Sequence, residues 1–346
     1  MKLSVLIPMY NAEKYIGNCL GTLIHQDIDT DDYEIIVLDD GSSDKGADVV
    51  RSLSRNSSNI VLHHQENAGF TATRNRLMKL AKGDYIYKID SDDYLTHNSL
   101  GTLLEIAIQN DLDVLGFESF DTEKMDMYRP RWEKEIPEIE ICSGPEYWAK
   151  ANNPRLGVNW YLLKRSFIDK NNVTFEMGSN PFSDTPFTLR VFTAAKKFAF
   201  VPMDVHRYLQ VPTSAMNNSS SSHLRKMVEY HKGLVHQLQN MSSELSMKND
   251  PIYDGIIDSM KFWSDINVYF MLKKYLRLNV PITRIDSTLK DLKSIKAYPM
   301  TSFKGEKSFS KSHKLVTYLF NHKYLYYLAL YPLRFVLNRN LIRFQN

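Results

Sequence analysis

From Met1 to about Gly116, short apolar runs alternate with stretches whose apolar residues fall three and four apart. Leu3–Ile7 reads as a strand ended by Pro8, and residues 12–25 as a helix with Tyr15, Ile16, Cys19, Leu20, Leu23 and Ile24 on one face. The runs Glu34–Leu38, Asn59–His63 and Tyr85–Ile89 predict further strands, and residues 45–53 and 71–80 further helices. Strand and helix alternating at this interval is the pattern of a mainly parallel sheet covered on both faces, so the expected class is α/β. Ligands on such sheets collect beyond the carboxyl ends of the strands. The polar punctuation falls there, at Pro8–Asn11, Asp39–Asp44, Asn67–Gly69 and Asp90–Asp93.

Between about Phe117 and Ala215 the alternation is lost, and Tyr, Trp, Pro and Phe become frequent. The polar run Asn217–Ser222 reads as a lid or linker. Beyond it, residues 223–240 and 252–278 read as helices, the second with an apolar stripe of Ile256, Ile257, Met260, Trp263, Ile266, Tyr269 and Phe270. The expected organisation is an α/β half over 1–116, a second half over 117–216 and a helical region over 223–346.

With 346 residues, 43% of them hydrophobic, the chain has core material for one large domain or two. A net charge of +3 excludes little, but its distribution is uneven. From Lys304 onward Lys304, Lys307, Lys311, Lys314, Lys323, Arg334, Arg339 and Arg343 face Glu306 alone. Interleaved with Tyr318, Phe320, Tyr324, Tyr326, Tyr327, Tyr331, Phe335 and Phe344, this basic tail suits either contact with an anionic bilayer or an ordinary helical hairpin. No nucleic-acid recognition motif accompanies it. Two cysteines, Cys19 and Cys142, make neither a disulfide framework nor a metal site. No apolar leader and no run of about twenty apolar residues is present. A cytoplasmic protein, peripheral on the inner face of a membrane, is the expectation.

The candidate chemistry centres on Lys88-Ile89-Asp90-Ser91-Asp92-Asp93-Tyr94. Three carboxylates so close repel one another and need solvent, donors or a cation. If the strand continues, alternation puts Asp90 and Asp92 on one face, as two oxygen ligands for Mg²⁺ or Mn²⁺. The competing reading is a helix cap, with Asp93, Thr96 or Asn98 preceding the apolar run from Leu100. Asp39 and Asp40 suit a turn, or acceptance from a base N–H or a ribose hydroxyl. Arg74 suits a diphosphate, the Asp cluster or plain solvation. No Gly-x-Gly-x-x-Gly or Gly-Lys-Ser/Thr loop follows the first strand, which argues against a dinucleotide oxidoreductase and a nucleoside triphosphatase.

In order, Val5–Ala12, Ile36–Asp44, Gln65–Gly69 with Thr73-Arg74-Asn75, and Gly83–Tyr94 closely resemble glycosyltransferase family 2 on the GT-A fold. The resemblance implies inverting sugar transfer from a nucleotide-diphosphate donor, usually a UDP-sugar, to a hydroxyl of a glycan or lipid-linked glycan. It implies nucleotide contacts at Pro8, Tyr10, Asn11, Asp39, Asp40, Asn67, Arg74, Asp90 and Ser91, and Mn²⁺ or Mg²⁺ on Asp90 and Asp92. Asn159–Phe167 and Thr174-Phe175-Glu176 resemble the family's acceptor-side elements, which places Asp184 of Ser183-Asp184-Thr185-Pro186-Phe187 at the general-base position. Ser183 stands where relatives carry Glu. Asp184 also suits a helix cap, and His206 suits either the metal shell or the core. Val205–Tyr208 with Thr213-Ser214 resembles the closing strand and loop. The alternative from another class is a non-catalytic sugar-nucleotide or glycan-binding module on the same fold.

Overall fold

The computed structural model describes residues 1–131, 138–151, 154–177, 181–211, 220–302 and 311–338. Thr213, Ser214, Asn217, Asn218 and Ser219 of the 217–222 run, and the tail residues Lys304, Glu306, Lys307, Arg339, Arg343 and Phe344 lie outside them, as do the side chains of Lys311 and Phe335. The chain divides into two compact units, 1–177 with 183–214, and 178–182 with 215–346.

In the first unit β1 (Leu3–Met9), β2 (Tyr33–Asp39), β3 (Ile60–His64) and β4 (Tyr85–Lys88) alternate with α1 (Ile16–Ile24), α2 (Gly46–Ser54) and α3 (Phe70–Leu80). After the short β5 (Tyr94–Leu95) come α4 (Leu100–Gln109), β6 (Val114–Thr122), α5 (Gly144–Lys150), β7 (Tyr161–Lys164), α6 (Arg165–Lys170), α7 (Asp184–Ala194) and β8 (Phe198–Leu209). All eight strands form one mixed sheet, in the order β3-β2-β1-β4-β7-β6-β8-β5. The four strands of the sequence pattern are mutually parallel, and β7 then joins β4 antiparallel. Because β6 begins at Val114 and pairs with both β7 and β8, the two halves expected over 1–116 and 117–216 are sectors of a single sheet.

Side-chain alternation explains the two layers. Leu3, Val5, Ile7 and Met9 of β1 join the large core with Ile16, Cys19, Leu20 and Leu103, while Leu6 on the opposite face packs with Leu77 of α3 and with Ala81 just beyond it. Every residue of β1 and β2 is buried, as a central parallel strand requires. The start of β1 is further fastened by Ser4, whose hydroxyl donates to Glu34 at 2.6 Å and accepts from the Gly83 N–H at 2.8 Å.

The second unit is helical: α8 (Ser221–Ser246), α9 (Asp254–Tyr275), α10 (Ile282–Ser294), α11 (Lys311–Asn321) and α12 (Lys323–Asn338). Its core includes Val235, Val268, Leu272, Ile285, Phe320 and Tyr326. The predicted stripe of α9 holds at Ile256, Ile257, Met260 and Tyr269, whereas Phe270 is exposed. Buried polar groups on α9 find local partners, since Asp265 accepts from the Thr301 and Ser302 N–H groups and Asn267 accepts from His231. No helix among the described residues is long and apolar enough to cross a membrane.

A Cβ at Gly83 would lie 2.4 Å from the Ser4 nitrogen, inside the backbone of β1. Gly83→Ala is therefore expected to destabilise the chain by about 1–3 kcal/mol through overpacking. Urea unfolding measures this, and an unchanged midpoint would contradict the packing described.

Candidate active site

The carboxyl ends of β1, β2 and β3 lie side by side, with Met9 opposite Asp39 and Asp39 opposite His64. The loops leaving these strands are laced together by side chains. Asn11, at φ 50°, accepts from the Ser43 N–H at 2.8 Å, and its own N–H donates to Ser42 Oγ at 2.9 Å. Glu13 N–H donates to Asp44 at 2.8 Å, and Lys45 N–H donates back to Glu13 at 3.1 Å. Gly41 has φ +76°, and an added Cβ would sit 2.9 Å from the Asn67 nitrogen, so glycine brings the β2 and β3 loops together. Tyr10 stands 55% exposed at the rim with its ring open to a ligand. Asn67 is exposed as well, while Pro8 is buried inside β1.

Both acids after β2 are buried and occupied. Asp39 accepts from Ser42 N–H at 3.0 Å and pairs with His64 Nδ1 at 2.9 Å; these bonds hold its carboxyl below the usual range although burial opposes them. Asp40 accepts from Gln65 Nε2 at 2.7 Å, Ala68 N–H at 2.8 Å and Gly69 N–H at 3.0 Å. It thereby fastens the start of α3, where orphan N–H groups and the helix dipole favour an anion.

The Asp90 cluster differs from the alternating strand expected of it. β4 ends at Lys88, and Asp90–Asp93 form a turn closed by Asp93 N–H to Asp90 O at 3.1 Å. Strand alternation therefore does not set the directions of Asp90 and Asp92. The cap reading also gives way, because Gln26 Oε1 accepts from Ser99 and Leu100 N–H and Asp27 from Gly101 and Thr102 N–H at the start of α4. Asp93 is instead buried, accepting from Asn159 Nδ2, from Leu209 N–H and from the His206 ring.

Arg74 joins this turn to the acceptor side. Its guanidinium is 2% exposed, lies 3.7 Å from the Phe70 ring centroid, and pairs through NH2 with Asp90 at 3.3 Å and through NH1 with Asp184. The same nitrogen, Nη1, also donates to Ser183 Oγ at 3.2 Å, a neutral hydroxyl, which leaves Asp184 as the carboxylate at that end of Arg74. Asp184 is the first residue of α7 and still 23% exposed. His206 is fully buried, with Nδ1 on Ser119 at 2.7 Å and Nε2 on Asp93 at 3.1 Å; both ring nitrogens are taken, which makes it a core histidine.

Asp90 is thoroughly engaged, by Lys88 at 2.6 Å, by Arg74 and by Asn159 at 2.9 Å. Burial alone would raise its carboxyl, but the two cations hold it well below the usual range. Asp92 pairs with no cation among the described residues, and burial together with Asp93 and Asp90 pushes its carboxyl up to about 7. Asp90, Asp92, Asp93 and Asp184 against Lys88 and Arg74 leave two formal negative charges in excess. That surplus and an unpaired hard oxygen donor fit a divalent cation. Among the described residues no three His, Cys, Asp or Glu side chains converge as a cage. A cation here is one that keeps most of its coordination sphere for water and phosphate oxygens. Of the two acids expected to face a metal, Asp90 is paired with Lys88 and Arg74, and Asp92 has no such pairing among the described residues.

Asn159 and Lys88 are site residues that the motif reading missed. Asn159 stood in a quoted motif but only as the start of a strand, and the signal available for Lys88 was a lysine inside an otherwise apolar strand run.

Comparison with known proteins shows the family and the fold. Glycosyl transferase family 2 matches residues 4–177, half of the chain. The glycosyltransferase EpsJ of Bacillus subtilis is 28% identical over 218 residues, covering 61% of this chain and 62% of EpsJ. The chain thus spans less than two thirds of that relative's length. The crystal structure of Staphylococcus aureus TarS 1–349 in complex with UDP-GlcNAc superposes with a TM-score of 0.56 at 17% identity, covering 98% of this chain and 92% of that one. The mannosyltransferase PcManGT from Pyrobaculum calidifontis, in complex with GDP-Man and Mn²⁺, gives 0.55 at 13% identity, covering 95% and 86%. The fold is the GT-A arrangement of these structures. The chain belongs to glycosyl transferase family 2.

Proposed function

We propose that this enzyme transfers a sugar with inversion, from a UDP-linked donor to a hydroxyl of a glycan or lipid-linked glycan. The observation that carries the reading is the Arg74 guanidinium shared by Asp90 and Asp184, because it brings a diphosphate-side acid and a half-open base to one point. TarS 1–349 binds UDP-GlcNAc on this fold, which supports a nucleotide sugar as donor. In this reading the nucleoside lies over the loops at Pro8–Asn11, Asp39–Asp40 and Asn67, with Tyr10 against the base.

Asp184 takes the proton of the acceptor hydroxyl as that oxygen forms its bond to the anomeric carbon. The bond from that carbon to the diphosphate oxygen breaks on the opposite face, and its electron pair leaves with the diphosphate. Arg74 balances the charge between the two sites. Asp92 would hold a Mn²⁺ or Mg²⁺, which would supply positive charge against the leaving group when bound. Ser91, at the tip of the same turn, completes the diphosphate contacts.

The tail bears on where the acceptor sits. Arg334 is buried, donating to the Tyr275 and Val280 carbonyls, and Lys323 pairs with Asp286, so these two cations serve the helical unit itself. On the other side of α11 and α12, Leu315, Tyr318, Tyr324, Leu325, Leu328 and Tyr331 are exposed. This Tyr- and Leu-rich face suits the headgroup level of a bilayer, which would keep the enzyme beside a lipid-borne acceptor.

Asp184→Asn is expected to lower turnover by about two to four powers of ten while leaving UDP affinity in place. Turnover with a panel of UDP-sugars measures this, and a near wild-type rate would remove Asp184 from the chemistry. Asp92→Ala is expected to abolish the gain in UDP affinity that Mn²⁺ brings; calorimetry showing the same gain in the variant would count against the assignment. The exposed double variant Tyr324→Ser with Leu328→Ser is expected to partition less onto vesicles containing phosphatidylglycerol. Equal sedimentation with such vesicles would argue against the bilayer contact.

A further inference from the structure

Resting on the donor-site reading above, we propose that Asn159 is a positioning residue that aims Asp92, by tying both ends of the Asp90–Asp93 turn to one side-chain amide. Asn159 is 5% exposed and sits in the 3₁₀ turn Val158–Trp160 that leads into β7. The antiparallel register of β7 on β4 sets Tyr87 opposite Leu162, which carries that 3₁₀ turn to the end of β4 where Lys88 emerges.

The orientation of the amide follows from its neighbours. Lys88 Nζ, which can only donate, lies 2.6 Å from Asn159 Oδ1. The two carboxylates accept from the other end, Asp90 Oδ2 at 2.9 Å and Asp93 Oδ2 at 3.1 Å from Asn159 Nδ2. An NH₂ group has two hydrogens, and here one goes to each acid. A hydroxyl could hold only one of them, and a carboxylate in this place would repel both.

The consequence falls on the residues between the tethers. Asp90 is held by Lys88, Arg74 and Asn159, and Asp93 by Asn159, His206 and the Leu209 N–H, so the turn is fixed at both ends. Ser91 and Asp92 are left at its tip, and Asp92 is the carboxylate without a protein cation. Without Asn159 the two flanking acids lose their common donor. Their repulsion then opens the turn, and Asp92 loses its direction. Groups one step removed from a metal ligand commonly change metal affinity by about 10–100-fold when lost.

The test is calorimetric titration of UDP, with and without Mn²⁺, into the wild-type chain and Asn159→Ala, alongside thermal unfolding. The expected result is a folded variant whose UDP affinity without Mn²⁺ is unchanged and whose Mn²⁺-dependent gain falls about tenfold or more. A purely structural role would lower both affinities together or neither. Asn159→Ser keeps a hydroxyl in the buried site, donates to one acid only, and serves where the alanine variant does not fold. A folded variant with the full Mn²⁺-dependent gain overturns the role of Asn159 alone. A wild-type chain that shows no Mn²⁺-dependent binding of UDP overturns the donor-site reading, and this role with it.

Discussion

The structure of the first unit turns on one buried guanidinium. A charge as deeply buried as Arg74 is tolerated only when it is paired, here through its two terminal nitrogens, and removing one partner of such a pair costs roughly 3–5 kcal/mol. Its planar fork meets Asp90, 16 residues along the chain, and Asp184, 110 residues along. A lysine offers a point charge and could not face two acids in a fixed plane. The helix that carries Arg74 is fastened at its first turn by Asp40, so a rigid path runs from the turn after β2, through α3, to both acids. The spacing between the Asp90 turn and Asp184 is thus set by the packing of α3 on the sheet, through Leu77 and, just beyond the helix, Ala81 in the cluster with Leu6.

Much of this was legible in the chain because parallel strands buried on both faces read as unbroken apolar runs, while the loops that leave them need glycine, asparagine and aspartate. Hence β1 to β4 and α1 to α3 follow the predicted runs within a few residues, and the polar strand ends do meet at one edge of the sheet. What local pattern could not show is the pull of distant partners. Ile89 extends the apolar run, yet the strand stops at Lys88 because Asp90 is drawn to Arg74, Lys88 and Asn159. The start of α4 looked as if it needed a cap from its own neighbourhood, but Gln26 and Asp27, more than seventy residues earlier, supply it.

The second half resisted reading for a different reason. β6 pairs with β7 antiparallel and with β8 parallel, with a shift in register near Glu118, so no single period runs through it. Asn159 illustrates the gap: its neighbours in the chain are apolar and aromatic, and the acids it bridges lie nearly seventy residues away. In the helical unit Arg334 was counted with a basic surface, although the last turn of α9 leaves carbonyls that need donors and the guanidinium is buried against them.

The lacing of Asn11 to Ser42 and Ser43, and of Glu13 to Asp44 and Lys45, has a thermodynamic corollary. Segments that must be frozen when a ligand arrives subtract that lost freedom from its affinity. Here the freezing takes place when the chain folds, and the floor beneath Tyr10 is already in shape before any nucleoside reaches it. A ligand bound over that floor would keep nearly the full worth of its contacts there.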